Sequence, residues 1–247
     1  MGAPHARVRR TQQGRSVTAD PAVPVRDAAT VVVLRRNGDG TSVLMGMRGA
    51  KAVFMPSKFV FPGGAVDLED ASVALAGPLP DLCRERLRAE PAATPMPAPD
   101  TLAAAALREL AEETGLLIGQ SDGAPCPWPG YREAGLTPDA GALTYVFRAI
   151  TPPGRPRRFD ARFFVADAAA LSGDPDDFSL ACDELSHLQW VPLTEARQLD
   201  LPFITEVVLA ELSRLVVDVP HDAPLPKPAT LPFFDNRGPV PRFCQIP

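Results

Sequence analysis

A cluster of acidic residues on one predicted helix is the feature of this chain best suited to chemistry. Glu109, Glu112 and Glu113 lie within about 100° of arc at 3.6 residues per turn, on a helix that Gly115 is predicted to end. Like charges at these spacings repel each other, and the helix dipole disfavours anions near the C-terminus. Carboxylate oxygens are the ligands that Mg²⁺ prefers, so the cluster is a candidate metal site, and a solvated acidic face is the alternative.

A glycine pair upstream is predicted to approach the same ligand. Gly63 and Gly64 follow the short apolar strand Phe59-Val60-Phe61. Because glycine has no side chain, its backbone comes close to a ligand and offers a carbonyl to a metal. We expect the carbonyl of Gly63 or of Gly64 to be this ligand, with Gly64 as the first choice.

These two segments together resemble the Nudix box. That signature is a glycine, five residues, Glu, seven residues, and then Arg-Glu-apolar-x-Glu-Glu-x-Gly-apolar. Residues 108–116, Arg-Glu-Leu-Ala-Glu-Glu-Thr-Gly-Leu, match its second half at every fixed position. In the first half, Asp70 stands where the family has Glu, and 37 residues (71–107) separate it from Arg108. An insertion over residues 71–99 is therefore predicted inside the box.

The resemblance implies a site for Mg²⁺, with Mn²⁺ as a substitute. The expected ligands are Glu109, Glu112, Glu113 and the carbonyl of Gly64. Arg108 is expected to orient the glutamates through salt bridges. The general base is expected to be either Glu109 or Glu184, which precedes a predicted strand containing Trp190. A solvated loop acid is the alternative interpretation of Glu184.

The resemblance also implies the reaction, which is hydrolysis of the diphosphate bond of a nucleoside diphosphate linked to another moiety. Residues 47–67 and 156–164 are similar to the branch that contains peroxisomal coenzyme A diphosphatases and their bacterial relatives. Coenzyme A or acyl-coenzyme A is therefore one candidate substrate. ADP-ribose, NADH or a nucleoside triphosphate is the first alternative. A non-catalytic nucleotide-binding regulator on the same fold is the second.

Three arginines are candidates for binding substrate phosphates, because a guanidinium group binds phosphate with two parallel hydrogen bonds. These are Arg48, Arg157 and Arg158. Surface arginines without a ligand are the alternative for each.

The remaining pattern indicates one elaborated α/β (α+β) domain over residues 28–217. Residues 1–27 are predicted to be a disordered arm, and residues 218–247 a proline-rich tail. Strands over 29–34 and 42–47 are predicted to form a hairpin through Asn37-Gly38-Asp39-Gly40. Further strands are predicted over 143–150, 162–165 and 188–191, a short helix over 78–88 and a loop over 91–99.

Two helices are predicted to cover this sheet. The acidic helix is expected to begin with Asp100 as its cap, and residues 203–217 repeat apolar side chains at helical spacing. The pattern thus predicts a mixed sheet with a helix on each side. The resemblance implies the same arrangement, a Nudix-type α/β/α sandwich.

Composition narrows the range of partners. The formal net charge is −5, and 45% of the residues are hydrophobic. The balance does not favour nucleic acid, and no apolar run approaches the ~18 residues of a membrane span. The expected partner is a small nucleoside diphosphate derivative, in a soluble cytoplasmic protein, and a homodimer is compatible with the sequence.

Overall fold

Eleven strands and four α-helices make up the described part of the chain, which in this computed structural model comprises residues 23–89, 96–238 and 240–247. The strands are β1 (Val25–Asn37), β2 (Gly40–Arg48), β3 (Phe59–Val60), β4 (Gly63–Ala65), β5 (Gly119–Gln120), β6 (Thr137–Pro138), β7 (Thr144–Ile150), β8 (Arg158–Asp167), β9 (Leu185–Pro192), β10 (Leu231–Asp235) and β11 (Arg242–Ile246). The helices are α1 (Asp81–Ala89), α2 (Pro99–Thr114), α3 (Pro129–Ala134) and α4 (Phe203–Val216). Nine strands form one mixed sheet in the order β11-β10-β7-β8-β1-β2-β3, with β4 beside β1 and β9 beside β2.

The predicted first hairpin is confirmed. β1 and β2 pair in antiparallel register from Leu34↔Val43 to Asn37↔Gly40, which leaves a two-residue turn. Gly40 has a φ of 126°, a conformation that residues with a side chain rarely adopt. β8 pairs in parallel along the other edge of β1 and makes β1 a central strand.

The sheet separates two layers of helix. Alternate residues of a strand face opposite sides, so Val31 and Val33 pack in the core that contains α1 and α2, whereas Val32 and Leu34 pack in the core that contains α4. The amphipathic helix predicted over 203–217 is confirmed as α4. The predicted mixed sheet with a helix on each side is therefore confirmed.

The sheet extends past both predicted ends of the domain. β1 begins at Val25 rather than after residue 27, while residues 1–22 of the predicted arm lie outside the described residues. Residues 231–246, predicted as part of a tail, contain β10 and β11. Leu231, Phe233 and Ile246 are buried in the α2-side core, and this apolar burial holds the two strands in the sheet beside β7.

The insertion inside the box packs against this C-terminal segment. The helix predicted over 78–88 is confirmed as α1, and Cys83 and Leu87 are buried in the core. Arg86 Nη2 donates to the carbonyl of Ala229 at 2.7 Å, and its Nε donates to that of Pro247 at 3.0 Å. Of the loop predicted over 91–99, residues 91–95 lie outside the described residues.

The prediction that Asp100 caps α2 is wrong. The helix begins at Pro99 with Ala98 as its N-cap, because the fixed φ of proline suits the first helical position. Asp100 Oδ1 instead accepts a hydrogen bond from the backbone N–H of Leu79 at 3.2 Å. The predicted end of the helix is confirmed, since Gly115 has a φ of 77° and its N–H donates to Ala111.

One short helix, α3, lies in the segment 123–138 that the sequence predicts as a connection. Within the described ranges, none of the helices combines the length and the apolar character needed to cross a membrane.

Candidate active site

The last turns of α2 present the predicted carboxylates beside β4. The opposite face of the helix is fully buried in the core through Ala103, Leu107 and Leu110. This burial fixes the rotation of the helix. Glu109, Glu112 and Glu113 are therefore directed away from that core, as the helical spacing predicts.

Arg108 lies at the centre of the site. Its Nη1 donates to Glu109 Oε1 at 2.9 Å and to Glu112 Oε2 at 3.0 Å. Its Nη2 donates to the carbonyl of Ala65 at 3.0 Å, which ties α2 to β4. A buried guanidinium among carboxylates stays charged, and the neighbouring acids raise the Arg108 pKa against the effect of burial. These contacts suit the orienting role that the resemblance implies for Arg108.

Asp70 accepts two hydrogen bonds from Arg108, a contact that the sequence did not predict. Arg108 Nε donates to Asp70 Oδ1 at 2.8 Å and Nη2 donates to Oδ2 at 3.1 Å, with the Asp70 side chain fully buried. Asp70 Oδ2 also accepts the N–H of Asp67 at 2.8 Å. The only sequence signal for this role is that Asp70 stands six positions after Gly64.

Glu113 is buried with an unused oxygen. Its side chain is about 1% exposed, and Oε2 accepts the backbone N–H of Gly63 at 2.9 Å. Oε1 is buried and has no hydrogen-bond partner. Burial raises the pKa of this carboxyl well above its ordinary value, and the charge of Glu109 raises it further. A buried carboxylate oxygen without a partner is costly, and a cation bound to Oε1 would offset that cost.

Glu109 lies against the glycine pair. A side chain at position 64 would displace the Glu109 carboxylate, so the absence of a side chain at Gly64 allows this approach. Burial raises the pKa of Glu109 to about 7, Arg108 opposes the shift, and the charges of Glu112 and Glu184 add to it. The group is therefore poised to change protonation near neutral pH.

The ladder between β1 and β4 directs the carbonyl of Gly63, rather than that of Gly64, away from β1. The N–H of Val31 donates to the carbonyl of Pro62, and the N–H of Val66 donates to that of Asp27. In an antiparallel ladder, bonded and non-bonded pairs alternate, so Gly64 and its partner Ala29 form a bonded pair. The Gly64 carbonyl then faces β1, so of the two predicted glycines Gly63 is the better placed to offer its carbonyl to a metal.

Arg48 and Glu184 meet at the edge of the site. Arg48 Nη2 donates to Glu184 Oε1 at 2.8 Å, and about half of the Glu184 side chain is exposed. The charge of Glu184 acts on both Glu109 and Glu113, which places it beside them. The structure thus brings together two residues that are 136 positions apart in the sequence.

The two other predicted arginines lie elsewhere. Arg158 opposes Val25 in the parallel register, four positions from Ala29, the partner of Gly64. Its guanidinium donates to the carbonyls of Thr151 and Asn236, at 3.0 and 3.3 Å. Arg157 is exposed in the turn before β8. Neither contacts the carboxylates of α2.

The donor set of the site suits a hard divalent cation. It consists of carboxylate oxygens, one of them orphaned on Glu113, and an outward carbonyl at Gly63. Across the described residues, no three acidic, thiol or imidazole groups already converge on one point as metal ligands. Arg108 occupies oxygens of Glu109 and Glu112, so an ion would compete with it for them.

Comparisons with known proteins find Nudix hydrolases. No family model matches the chain. A Caenorhabditis elegans protein with the provisional name nudix hydrolase 7 is 28% identical over 189 residues, covering 67% of this chain and 51% of the relative. The chain thus spans about half the length of that relative. A solved NUDIX hydrolase from Alicyclobacillus acidocaldarius is 29% identical, with a TM-score of 0.56 over 76% of this chain and 90% of that one.

These likenesses support the Nudix hydrolase superfamily. This is the superfamily whose signature residues 108–116 resemble. A more distant Nudix hydrolase from M. smegmatis is 16% identical with a TM-score of 0.46 over 82% of this chain and 98% of that one.

Proposed function

We propose that the protein hydrolyses the diphosphate bond of a nucleoside diphosphate linked to another moiety, with a bound divalent metal ion. One observation carries the proposal: the buried Glu113 has an oxygen without a partner beside Glu109, which has a raised pKa. Several carboxylates share one arginine there, and a cation would balance the excess negative charge.

The ion would be held by oxygen ligands from two elements. We assign this role to Glu109, Glu112 and Glu113 of α2 and to the carbonyl of Gly63. Mg²⁺ fits this set best, and Mn²⁺ shares its preference for oxygen. When bound, such an ion neutralises charge on a diphosphate and makes water more acidic.

The protein groups have separate tasks in this scheme. Arg108 is a positioning residue, because all its bonds go to side chains and a carbonyl of the site. Arg48 lies beside the carboxylates. Its guanidinium group can replace its hydrogen bond to Glu184 with one to a substrate phosphate. Two residues fit the general base: Glu109, with a pKa of about 7, and Glu184, which is half-exposed next to Arg48.

Coenzyme A or acyl-coenzyme A is our first substrate candidate, supported by the similarity of residues 47–67 and 156–164 to that branch of the family. ADP-ribose, NADH and nucleoside triphosphates are the alternatives for the same chemistry. A non-catalytic nucleotide-binding regulator is disfavoured by the complete set of glutamates on α2.

A substrate panel tests the proposal. Purified protein with Mg²⁺ is assayed against coenzyme A and its esters, ADP-ribose, NADH and nucleoside triphosphates, beside two variants. Glu112→Gln removes one carboxylate of the site, and Glu133→Gln changes an exposed glutamate on α3 as a matched control. We expect hydrolysis by the wild type and by Glu133→Gln, and a loss of at least about 100-fold in Glu112→Gln.

Two results would contradict the proposal differently. Full turnover in Glu112→Gln would show that the carboxylates of α2 do not hold the metal ion. The absence of turnover on every compound, together with tight binding of one of them, would favour the regulator.

A further inference from the structure

The residues with the least favourable backbone conformations lie around Arg48. Among the described residues, three that carry a side chain have a positive φ: Met55 at 53°, Ser57 at 58° and His187 at 52°. This conformation is uncommon for residues other than glycine and costs free energy. Residues held in it cluster at functional sites. Here all three lie in the two segments that border the end of β2, the loop before β3 and the strand β9.

The loop between β2 and β3 holds the backbone of Arg48. The N–H of Arg48 donates to the carbonyl of Lys58 at 2.9 Å, and the N–H of Ser57 donates to the carbonyl of Arg48 at 3.1 Å. The N–H of Phe59 donates to the carbonyl of Asp200 at 3.0 Å, which ties the loop to the segment before α4. Ser57 therefore takes its positive φ within the pair of hydrogen bonds that closes the loop.

On the opposite edge of β2, His187 forms a bulge in β9. The register shifts between Met45 and Met47, where one residue of β2, Gly46, opposes two residues of β9, His187 and Leu188. A side chain at position 46 would meet Leu188, so the two strands approach closely there. Bulges of this kind redirect side chains next to active sites.

The bulge determines which residue of β9 opposes Arg48. Without the extra residue, the register would place Ser186 opposite Arg48, whereas the observed partner is Leu185. Glu184 is therefore one residue, or about 3.3 Å, nearer to Arg48. A shift of one residue also exchanges the faces to which the side chains point. The bulge thus allows Arg48 Nη2 to donate to Glu184 Oε1 at 2.8 Å.

The side chain of Arg48 has an N–H group to offer. Its Nε is buried and has no hydrogen-bond partner in the part of the chain that the structure describes. The charge of Arg48 acts on Glu113, which places it beside the carboxylates of α2. A guanidinium group in this position can donate a charge-assisted hydrogen bond to a phosphate oxygen.

We propose that Ser57 and His187 are positioning residues for Arg48. Their left-handed backbone conformations fix its guanidinium group beside Glu184 and the carboxylates of α2, where it donates to a phosphate oxygen of the substrate. The inference rests on the proposed function and adds two residues that act through Arg48. The backbone conformation has this role, rather than the hydroxyl of Ser57 or the imidazole of His187.

Substitutions that differ in their tolerance of a positive φ test the inference. Ser57→Val and His187→Val introduce β-branched side chains, which are poorly compatible with this conformation, whereas Ser57→Gly and His187→Gly suit it. Gln189→Val places the same side chain on an exposed neighbour in β9 as a control. Denaturant unfolding establishes that each variant folds. Ser57→Ala or His187→Ala, which disfavours the conformation less strongly, replaces a valine variant that does not fold.

The kinetics are measured on the compound that the wild type hydrolyses fastest. The valine variants should raise KM by about tenfold or more, as for the loss of one charge-assisted hydrogen bond. The glycine variants and Gln189→Val should stay close to the wild type. His187→Gly also lacks the imidazole, whose Nδ1 lies 3.0 Å from Ser186 Oγ, so it separates the backbone from the side chain. Valine variants equal to Gln189→Val, or a His187→Gly variant as impaired as His187→Val, overturn the inference.

A double-mutant cycle separates positioning from a general loss of stability. In an Arg48→Ala background, His187→Val should cause no further loss of kcat/KM, because the group that it positions is absent. A further loss as large as in the wild-type background overturns the inference. An Arg48→Ala variant as active as the wild type also overturns it. Both results leave the proposed function intact.

A binding measurement replaces the kinetics if no compound is hydrolysed and the proposed function fails. ADP is titrated into the same proteins by calorimetry in the presence of Mg²⁺. The dissociation constant should be about tenfold higher in His187→Val and in Arg48→Ala than in the wild type and Gln189→Val. Equal dissociation constants in all four proteins, or no binding of ADP to the wild type, overturn the inference.

Discussion

Two buried charge clusters on the same side of the sheet differ in their balance. Around Arg148 and Arg162, two guanidinium groups meet the carboxylates of Asp160 and Asp27. Around Arg108, one guanidinium group serves Asp70, Glu109 and Glu112, and the buried Glu113 lies beside them.

The difference suggests different roles for the two clusters. The charges around Arg148 and Arg162 stabilise the fold, whereas the charges around Arg108 are suited to binding a cation. Removing a charge from water is costly, and an opposite charge nearby offsets most of that cost. The balanced cluster meets this requirement within the protein, whereas the acidic cluster does not. Its remaining cost appears as the raised pKa values of Glu109 and Glu113.

The largest expected effect on stability comes from breaking the balanced cluster. Asp160→Asn leaves the buried Arg148 and Arg162 without their shared carboxylate, and should lower the free energy of unfolding by about 3–5 kcal/mol. Denaturant unfolding measures this change. Asp176→Asn, which removes the exposed partner of Arg35, should cost under about 1 kcal/mol. Equal effects of the two substitutions would show that the balanced cluster stabilises the fold no more than an exposed ion pair does.

The excess negative charge of the acidic cluster should make the stability of the protein depend on pH. The folded pKa of Glu109, about 7, lies above its ordinary value of 4.5, so the folded state holds the proton more tightly. Its contribution to stability is present below pH 4.5 and is lost as pH rises through about 7.

Unfolding of metal-free wild type and Glu109→Gln between pH 4.5 and 7.5 measures this contribution. The free energy of unfolding of the wild type, relative to the variant, should fall by up to about 3 kcal/mol as pH rises. If the free energy of unfolding of the wild type, relative to the variant, stays constant or rises with pH, Glu109 is ionised throughout this range. The acidic cluster then carries no uncompensated negative charge.

A smaller effect is expected from Asp70, which acts through Arg108. Asp70→Asn should reduce kcat by about 10- to 100-fold, as for other residues that orient metal ligands. Asp70→Glu, which restores the residue type of the family pattern, should recover part of the activity. Glu69→Gln, on the exposed neighbour, is the control. If Asp70→Asn is as active as the control, the hydrogen bonds from Arg108 to Asp70 are not needed to position Arg108.

Local patterns were sufficient for much of the fold and for half of the site. Helical spacing places Glu109, Glu112 and Glu113 on one face of α2, and Asn37-Gly38-Asp39-Gly40 predicts the hairpin, because both signals depend on neighbouring residues alone. The same kind of signal predicts α4.

Contacts between distant segments could not be predicted in this way. Asp70 reaches Arg108 across 38 positions, because the insertion folds away against the C-terminal segment. The proline-rich composition after residue 217 predicted a tail, although this segment contains β10 and β11. Both strands are added to the sheet beside β7, a contact that their local sequence does not indicate. The direction of the Gly63 and Gly64 carbonyls depends on pairing with β1, which sequence spacing does not encode.

The most direct test of the account is the effect of Mg²⁺ on stability, because it needs no substrate. An ion that binds only the folded state raises the free energy of unfolding by RT ln(1 + [Mg²⁺]/Kd), or about 1.4 kcal/mol per tenfold increase above Kd. We expect this rise in the wild type and in the surface control Glu133→Gln, and none in Glu113→Gln. A wild type that Mg²⁺ and Mn²⁺ leave unchanged, or a Glu113→Gln variant stabilised as much as the wild type, would contradict the metal site on α2.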